Sequence, residues 1–322
     1  NIWMDGIMKK KTIIKNKRKK KVLKLTLQVI LFLVCITLCG FIYYIYVSAP
    51  EFKSDLLYRR ESSNIYDSKG NLITTIGTEK RQLIKYDELP EVLIDAIIAT
   101  EDSRFFEHDG FDIPRFLKAG MSYVKGVDGG GASTLTMQLS KNTFTSTETK
   151  GFDGIVRKFT DIYMSIFKIE KDYSKEEIIE FYVNAPYLGA GSYGVEQAAK
   201  TYFGKDVTNL DLVEASIIAG MFQAPGEYDP YINPDKTTAR KNEVISLMLR
   251  HGYITESEAN QAKKVKVENI IKKVDKSINK YQGFVDTVIQ EVIDRTGDNP
   301  YEVSMDIYTT LMSDKQDVIE DF

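Results

Sequence analysis

Apolar residues run without a charge from Leu25 to Val47, 23 positions softened only by Thr26, Gln28, Thr37 and Gly40. At about 1.5 Å of rise per residue, a helix of that length covers the roughly 30 Å hydrocarbon core of a bilayer. Tyr43, Tyr44 and Tyr46 fall at its far end, where an aromatic belt forms. Past the run the pattern changes twice. Residues Ser62 to Gly77 alternate loosely around a turn at Asp67 to Gly70, which predicts a short hairpin. From Pro90 to Ala262 the period is helical nearly throughout. Leu93, Ala96, Ile97 and Thr100 mark one face of a helix that opens at Pro90 and runs out near Glu101. Ser174 with Glu177, and Thr255 with Glu258, have the spacing of capping boxes. Asp211 is placed to cap a helix that buries Leu212, Ala215, Ile218 and Phe222. Between Ile155 and Lys171 the stripe Ile155, Phe159, Ile162, Ile166 and Ile169 predicts the packed side, with Arg157, Asp161, Ser165 and Lys168 on a solvated one.

Charge sharpens this division. Residues 1 to 24 hold ten Lys or Arg against Asp5 alone, so a total of −3 leaves about −12 for the rest. A basic block directly before an apolar run of this length reads as an uncleaved anchor, since a signal peptide's apolar region is only ~7 to 15 residues. The positive-inside rule then puts the amino end in the cytoplasm and everything after Ser48 outside. Cys35 and Cys39 both lie within the anchor as small apolar fillers, so an exported domain must rest on its own core rather than on disulfides. Residue 1 is Asn, so the expected start is Met4 or Met8, or the chain is a fragment.

Two stretches of the helical region carry candidate chemistry. Glu101 sits where an amphipathic helix ends, and partial desolvation there raises a carboxyl toward the range of a general base. Gly129 to Gly131 form a glycine loop before a helix that Ser133 or Thr134 can cap, with Thr134, Gln138 and Lys141 on one face. A helix N-terminus with a lysine two turns on can cradle a pyrophosphate. It is not a Walker loop, which needs its lysine directly after the glycines.

Glu101, Asp102, Phe105, His108 and Gly110 resemble the first signature of the peptidoglycan glycosyltransferases of class A penicillin-binding proteins and monofunctional transglycosylases. The stretch from Gly129 to Asn142 is similar to the second. Arg157, Lys158 and Asp161 resemble the third, in which the family carries a glutamate, so Asp161 is one methylene short. Glu180 to Asn184 with Gly189 to Gly204 resembles the fourth, and Glu214 to Gly220 with Gln223 to Pro225 the fifth. The resemblance implies a mainly α, lysozyme-like fold of two lobes behind a single transmembrane helix. It divides the chain into a basic tail (1–24), an anchor (25–47), a linker with the hairpin (48–85), the glycosyltransferase domain (86–262) and a linker toward an absent transpeptidase domain (263–322). The one Ser-x-x-Lys, at Ser277 and Lys280, lacks the companion elements of transpeptidase chemistry and is a coincidence.

The implied reaction polymerises lipid II into glycan strands with release of undecaprenyl pyrophosphate. Glu101 and Asp161 take the catalytic roles, with Asp102, Ser133, Thr134, Gln138, Lys141, Arg157 and Asn184 binding substrate. No cofactor is required, and the resemblance allows a divalent cation, Mg or Mn, beside Asp161, which otherwise orients the cations. The implied partners are lipid II, the growing glycan strand and the membrane, with other cell-wall synthesis and division proteins and no nucleic acid. Phe111 to Val124, where Phe111, Ile113, Phe116, Leu117, Met121 and Tyr123 alternate with Arg115 and Lys118, suit a lobe that dips into the interface, or packing between lobes. Two other readings remain open: a lysozyme-type hydrolase, which needs no cationic pocket, and a tethered scaffold that binds lipid II without turning it over.

Overall fold

A computed structural model describes residues 2–52, 63–76, 83–126, 131–144, 151–272, 281–298, 300, 305–313 and 315–316. Gly129, Gly130, Ser277 and Lys280 lie outside these residues, as does the side chain of Tyr123. The chain divides into two units, residues 1–49 and 50–322. The first is a single helix, α1 (Ile2–Ser48). Its part from Lys20 to Ser48 reaches a mean hydropathy of 2.6 and is long and apolar enough to cross a membrane by length and composition. Thr26 and Thr37 donate their hydroxyls to the carbonyls four residues back, at 3.0 and 2.9 Å, which removes two polar groups from the apolar run.

The second unit is mainly helical. Its elements are β1 (Ser63–Tyr66), β2 (Leu72–Ile76), α2 (Glu91–Glu101), α3 (Ile113–Val124), α4 (Leu135–Phe144), α5 (Gly151–Met164), a π-helical turn (Ser165–Ile169) and the short α6 (Glu170–Asp172). There follow α7 (Lys175–Asn184), α8 (Gly194–Phe203), α9 (Leu212–Met221), α10 (Pro234–Arg250), α11 (Glu256–Lys264), α12 (Gln282–Thr296) and β3 (Asp306–Tyr308). α9 is the centre of the core. Asp211 caps it, accepting from the N–H groups of Val213 and Glu214, and every residue from Glu214 to Met221 is buried. α2 and α10 pack on it. The approach to α10 is close: a Cβ on Gly220 would lie 2.9 Å from Cγ of Arg240, so only glycine fits there without displacing that side chain. On α2 the buried residues are Leu93, Ala96, Ile97, Ile98 and Ala99. The capping boxes expected at Ser174 and Thr255 start α7 and α11.

The expected hairpin is β1 with β2, and its turn is held by Asp67, which accepts from the N–H groups of Lys69 and Asn71 at 2.9 and 2.8 Å. β3 pairs in parallel with the other edge of β1, giving the order β2-β1-β3. The stretches expected as separate linkers therefore share one small core of Ile65, Ile76, Val285, Ile289 and Ile307, into which Tyr193 reaches from the helical body.

The expected helix over Ile155 to Lys171 needs two corrections. It is broken into α5, the π turn and α6. Over α5 and into the π turn its faces are also exchanged: Asp161 is 4% and Ser165 0% exposed, whereas Ile155 is 52% and Phe159 47% exposed, while Ile169 is in the core as expected. The polar stripe of α5 packs against α4, and Ile155 and Phe159 face out.

Candidate active site

Glu101 is the last residue of α2, and the chain leaves the helix at Asp102 with φ −156° and ψ 75°. Asp102 is fully buried and uses both carboxylate oxygens internally. Oδ2 accepts from the backbone N–H of Leu135 at 3.0 Å, Oδ1 pairs with Arg115 at 3.3 Å, and Nε2 of His108 lies 3.1 to 3.2 Å from both. An aspartate at the N-terminus of α4 satisfies donors that the helix leaves open and complements its dipole. Asp102, expected to touch substrate, is instead the peg that fixes the start of α4. Thr134 is likewise buried and internal: its hydroxyl donates to the carbonyl of Gly110 at 2.7 Å and accepts from the N–H of Met137 at 3.2 Å.

With α4 pinned there, Gln138 meets Glu101 one turn in, its Nε2 donating to Oε2 at 2.7 Å. Burial raises the Glu101 carboxyl above its ordinary value, while the bond from Gln138 and the charges of Arg240 and Arg115 pull it back and Asp102 adds to the rise. Such a group is a base poised nearer neutrality than a solvated glutamate. The hydroxyl of Tyr182 on α7 donates to Oε1 of the same amide at 3.2 Å.

Asp161 lies against another side of α4, where Ser140 donates to its Oδ1 at 3.2 Å. Burial pushes Asp161 up to about 6 from 3.8, against the pull of Ser140, Arg157, Lys158 and Lys141. Lys158 donates to Oγ of Ser133 at 2.6 Å, and burial lowers its ammonium while Asp161 supports it. At about 100° of turn per residue, Lys141 projects from α4 between Gln138 and Ser140. The exposed Lys141 thus stands between the two acids' partners. Ser133, Gln138, Lys141, Arg157 and Asp161 are brought together around α4 and α5. Asn184 is not: it is 2% exposed and spends its amide on the backbone of Ile84 at 3.0 and 2.8 Å and of Glu180 at 2.8 Å, tying residues 83–86 to α7.

Sequence reasoning missed Ser140, Tyr182 and the part-buried pair of Glu170 and Lys175. Glu170 accepts from Thr136 at 2.5 Å and from Lys175 at 2.9 Å, and Lys175 also donates to the carbonyl of His108 at 2.6 Å. Ser140 had a signal in its place between Gln138 and Lys141, and Tyr182 in its place within Glu180 to Asn184. Among the described residues, the group that could offer three ligand atoms to a metal is Asp102, His108 and Asp112. Its carboxylates are held by arginines, Asp102 by Arg115 and Asp112 by both Nε and Nη2 of Arg104 at 3.0 and 2.7 Å. Asp161 belongs to no such group and is surrounded by cations.

The transglycosylase family model matches residues 69–249, and the chain belongs to that family. It carries a peptidoglycan transglycosylase domain of the kind found in class A penicillin-binding proteins. It is similar to penicillin-binding protein 1A/1B of Bacillus subtilis (strain 168), 39% identical over 85% of this chain and 30% of that one. It is also similar to penicillin-binding protein 1A of Streptococcus oralis, 36% identical over 96% of this chain and 48% of the relative. The crystal structure of penicillin-binding protein 1A from Haemophilus influenzae is 26% identical, with a TM-score of 0.39, over 80% of this chain and 28% of that one. The chain thus spans under half the length of these relatives.

Proposed function

We propose that the chain is a membrane-anchored glycosyltransferase that polymerises lipid II into β-1,4 glycan strands and releases undecaprenyl pyrophosphate, with Glu101 as the general base. The observation that carries this reading is the Glu101 carboxyl, raised by burial at the end of α2 and held by Gln138, on the same helix that presents Lys141. Glu101 takes the proton from the sugar 4-hydroxyl of the acceptor. The freed oxygen bonds to the anomeric carbon of the donor strand as its bond to the pyrophosphate breaks. Negative charge grows on the leaving group, and Lys141, Arg157 and Lys158 stabilise it, electrostatic stabilisation being usually the largest single term. Asp161 holds these cations in place.

The exposed apolar side chains of α3, Ile113, Phe116, Leu117 and Met121, support an interfacial seat close to a lipid-borne substrate. The basic block before the apolar run of α1 supports a cytoplasmic amino end and an external catalytic unit. Incubating detergent-purified protein with labelled lipid II, then separating polymer from monomer on a gel, tests the reading. Polymer from the parent and none from Glu101→Gln is expected. Soluble muropeptides would point to a hydrolase, and binding without polymer to a scaffold.

A further inference from the structure

We infer that Tyr182 is a positioning residue for the glycosyl transfer: its hydroxyl biases which end of the Gln138 amide faces Glu101. The inference rests on Glu101 being the base. Gln138 bridges two groups, with Nε2 2.7 Å from Glu101 and Oε1 3.2 Å from the Tyr182 hydroxyl. An amide carries a donor end and an acceptor end, and either can face a carboxyl. An ionised Glu101 only accepts, so it needs the nitrogen, whereas a protonated Glu101 can donate to the oxygen. Tyr182 tilts that choice: its hydroxyl can also accept, but a phenol is the stronger donor, so it favours the amide oxygen on its own side. It is 3% exposed and its own ionisation is pushed well above 10 by burial, so it remains a neutral hydroxyl donor. Its ring stacks on Phe222 at 4.8 Å and 8°, which fixes the hydroxyl's direction. With the Gln138 oxygen engaged by Tyr182, the nitrogen faces Glu101 and favours the ionised base.

The other charges that act most on Glu101 are Arg115 on α3, Arg240 on α10 and the neighbouring Asp102. None of them touches the amide's oxygen. Tyr182→Phe keeps the ring and its stack and removes only the lock. The amide is then free to turn its oxygen to Glu101 and stabilise the protonated acid.

The test is the pH profile of kcat/KM for lipid II polymerisation, measured on the full chain in detergent from pH 5 to 9. In Tyr182→Phe the acid limb should move up by about one pH unit, a loss of about tenfold well below the limb that closes toward the parent rate at alkaline pH. A merely structural role would lower the rate at all pH values and leave the limb in place. Gln138→Leu removes both ends of the bridge, so Tyr182→Phe added to it should move the limb no further. Superimposed limbs for the parent and Tyr182→Phe, with Glu101→Gln inactive throughout, would overturn the positioning role and leave the base intact. Equal shifts with and without Gln138 would overturn it too. An active Glu101→Gln with an unchanged limb removes the base assignment, and this inference with it.

Discussion

Asp161 ionises against its surroundings, so replacing it with Asn should stabilise the protein while disabling it. Its carboxyl is raised from 3.8 to about 6, chiefly by burial. A folded state with a raised carboxyl pKa holds a proton that the unfolded chain releases, so stability falls as pH rises from about 4 to about 6 and the deficit is complete above that window. The shift of about two units corresponds to roughly 3 kcal/mol at ~1.4 kcal/mol per unit, and water entering the cleft reduces it to roughly 1.5 to 3 kcal/mol. Asn keeps the volume and an oxygen for Ser140, and removes the charge. At ~2 to 4 °C per kcal/mol, Asp161→Asn should melt about 3 to 12 °C above the parent at pH 8. The gap should shrink to about a third of that by pH 4.5 and close only below about pH 3.8, where the unfolded chain also keeps its proton. Lipid II polymerisation by the same sample should fall at least ~10-fold, the stability cost of the charge being what function requires. Thermal unfolding of both proteins at the two pH values decides it. An Asn variant less stable than the parent at pH 8, or a gap that does not vary with pH, would show that Asp161 carries no desolvated charge.

Glu101→Gln should leave the melting temperature within a few degrees and drop polymerisation below about a tenth of the parent, because general-base catalysis is worth ~10²-fold or more. Gly110→Ala should cost more than ~2 kcal/mol in chemical denaturation: Gly110 has φ +83°, and a Cβ there would stand 2.8 Å from the backbone carbon and oxygen of Ser165. Leu117→Asp with Met121→Asp, on side chains 57% and 59% exposed, should leave folding intact and weaken liposome binding of the unit without α1. Co-sedimentation equal to that of the unchanged unit would remove α3 from the interface. Asp161→Glu, which supplies the family's longer acid, should raise polymerisation. A rate at or below the parent's would make the Ser140–Asp161 pair the working arrangement.

The elements with strong local signals were legible. Apolar spacing and the change of pattern at Glu101 placed the end of α2, and the capping residues of α7, α9 and α11 are where side-chain chemistry required them. β3 was not legible: three residues without alternation cannot announce a partner about 240 positions away. α5 failed for a more instructive reason. Periodicity assigns the apolar stripe to the protein and the polar stripe to water, and that assumption holds only where water is what lies outside. Arg157, Lys158, Asp161 and Ser165 are turned inward to build a charged site, and Phe152, Ile155, Phe159 and Phe167 are left outward. Over α5 the period holds and the sign is reversed, whereas Ile169, at the end of the π turn, is buried as its place in the stripe predicts. Asp102, Thr134 and Asn184, polar residues beside the site and expected at the substrate, have buried side chains whose bonds hold backbone.

Those internal bonds explain why the two acids respond to one another's segments. α4 gives Glu101 its Gln138 and Asp161 its Ser140, so any shift of α4 disturbs both. Its start is fixed by Asp102 and by the bond from Thr134 to the carbonyl of Gly110. Gly110 in turn rests against the backbone of Ser165, where the π turn begins, and Ser165 donates to the carbonyl of Asp161 at 2.7 Å. The loop after Glu101, the start of α4 and the end of α5 therefore brace one another in a closed circuit. A π turn widens a helix by one residue per turn and is found often at functional sites. Here it brings the Ser165 backbone to a position that only a glycine with positive φ can meet. Damage at Gly110 should therefore reach both carboxyls at once, whereas damage at Ser140 should reach Asp161 alone.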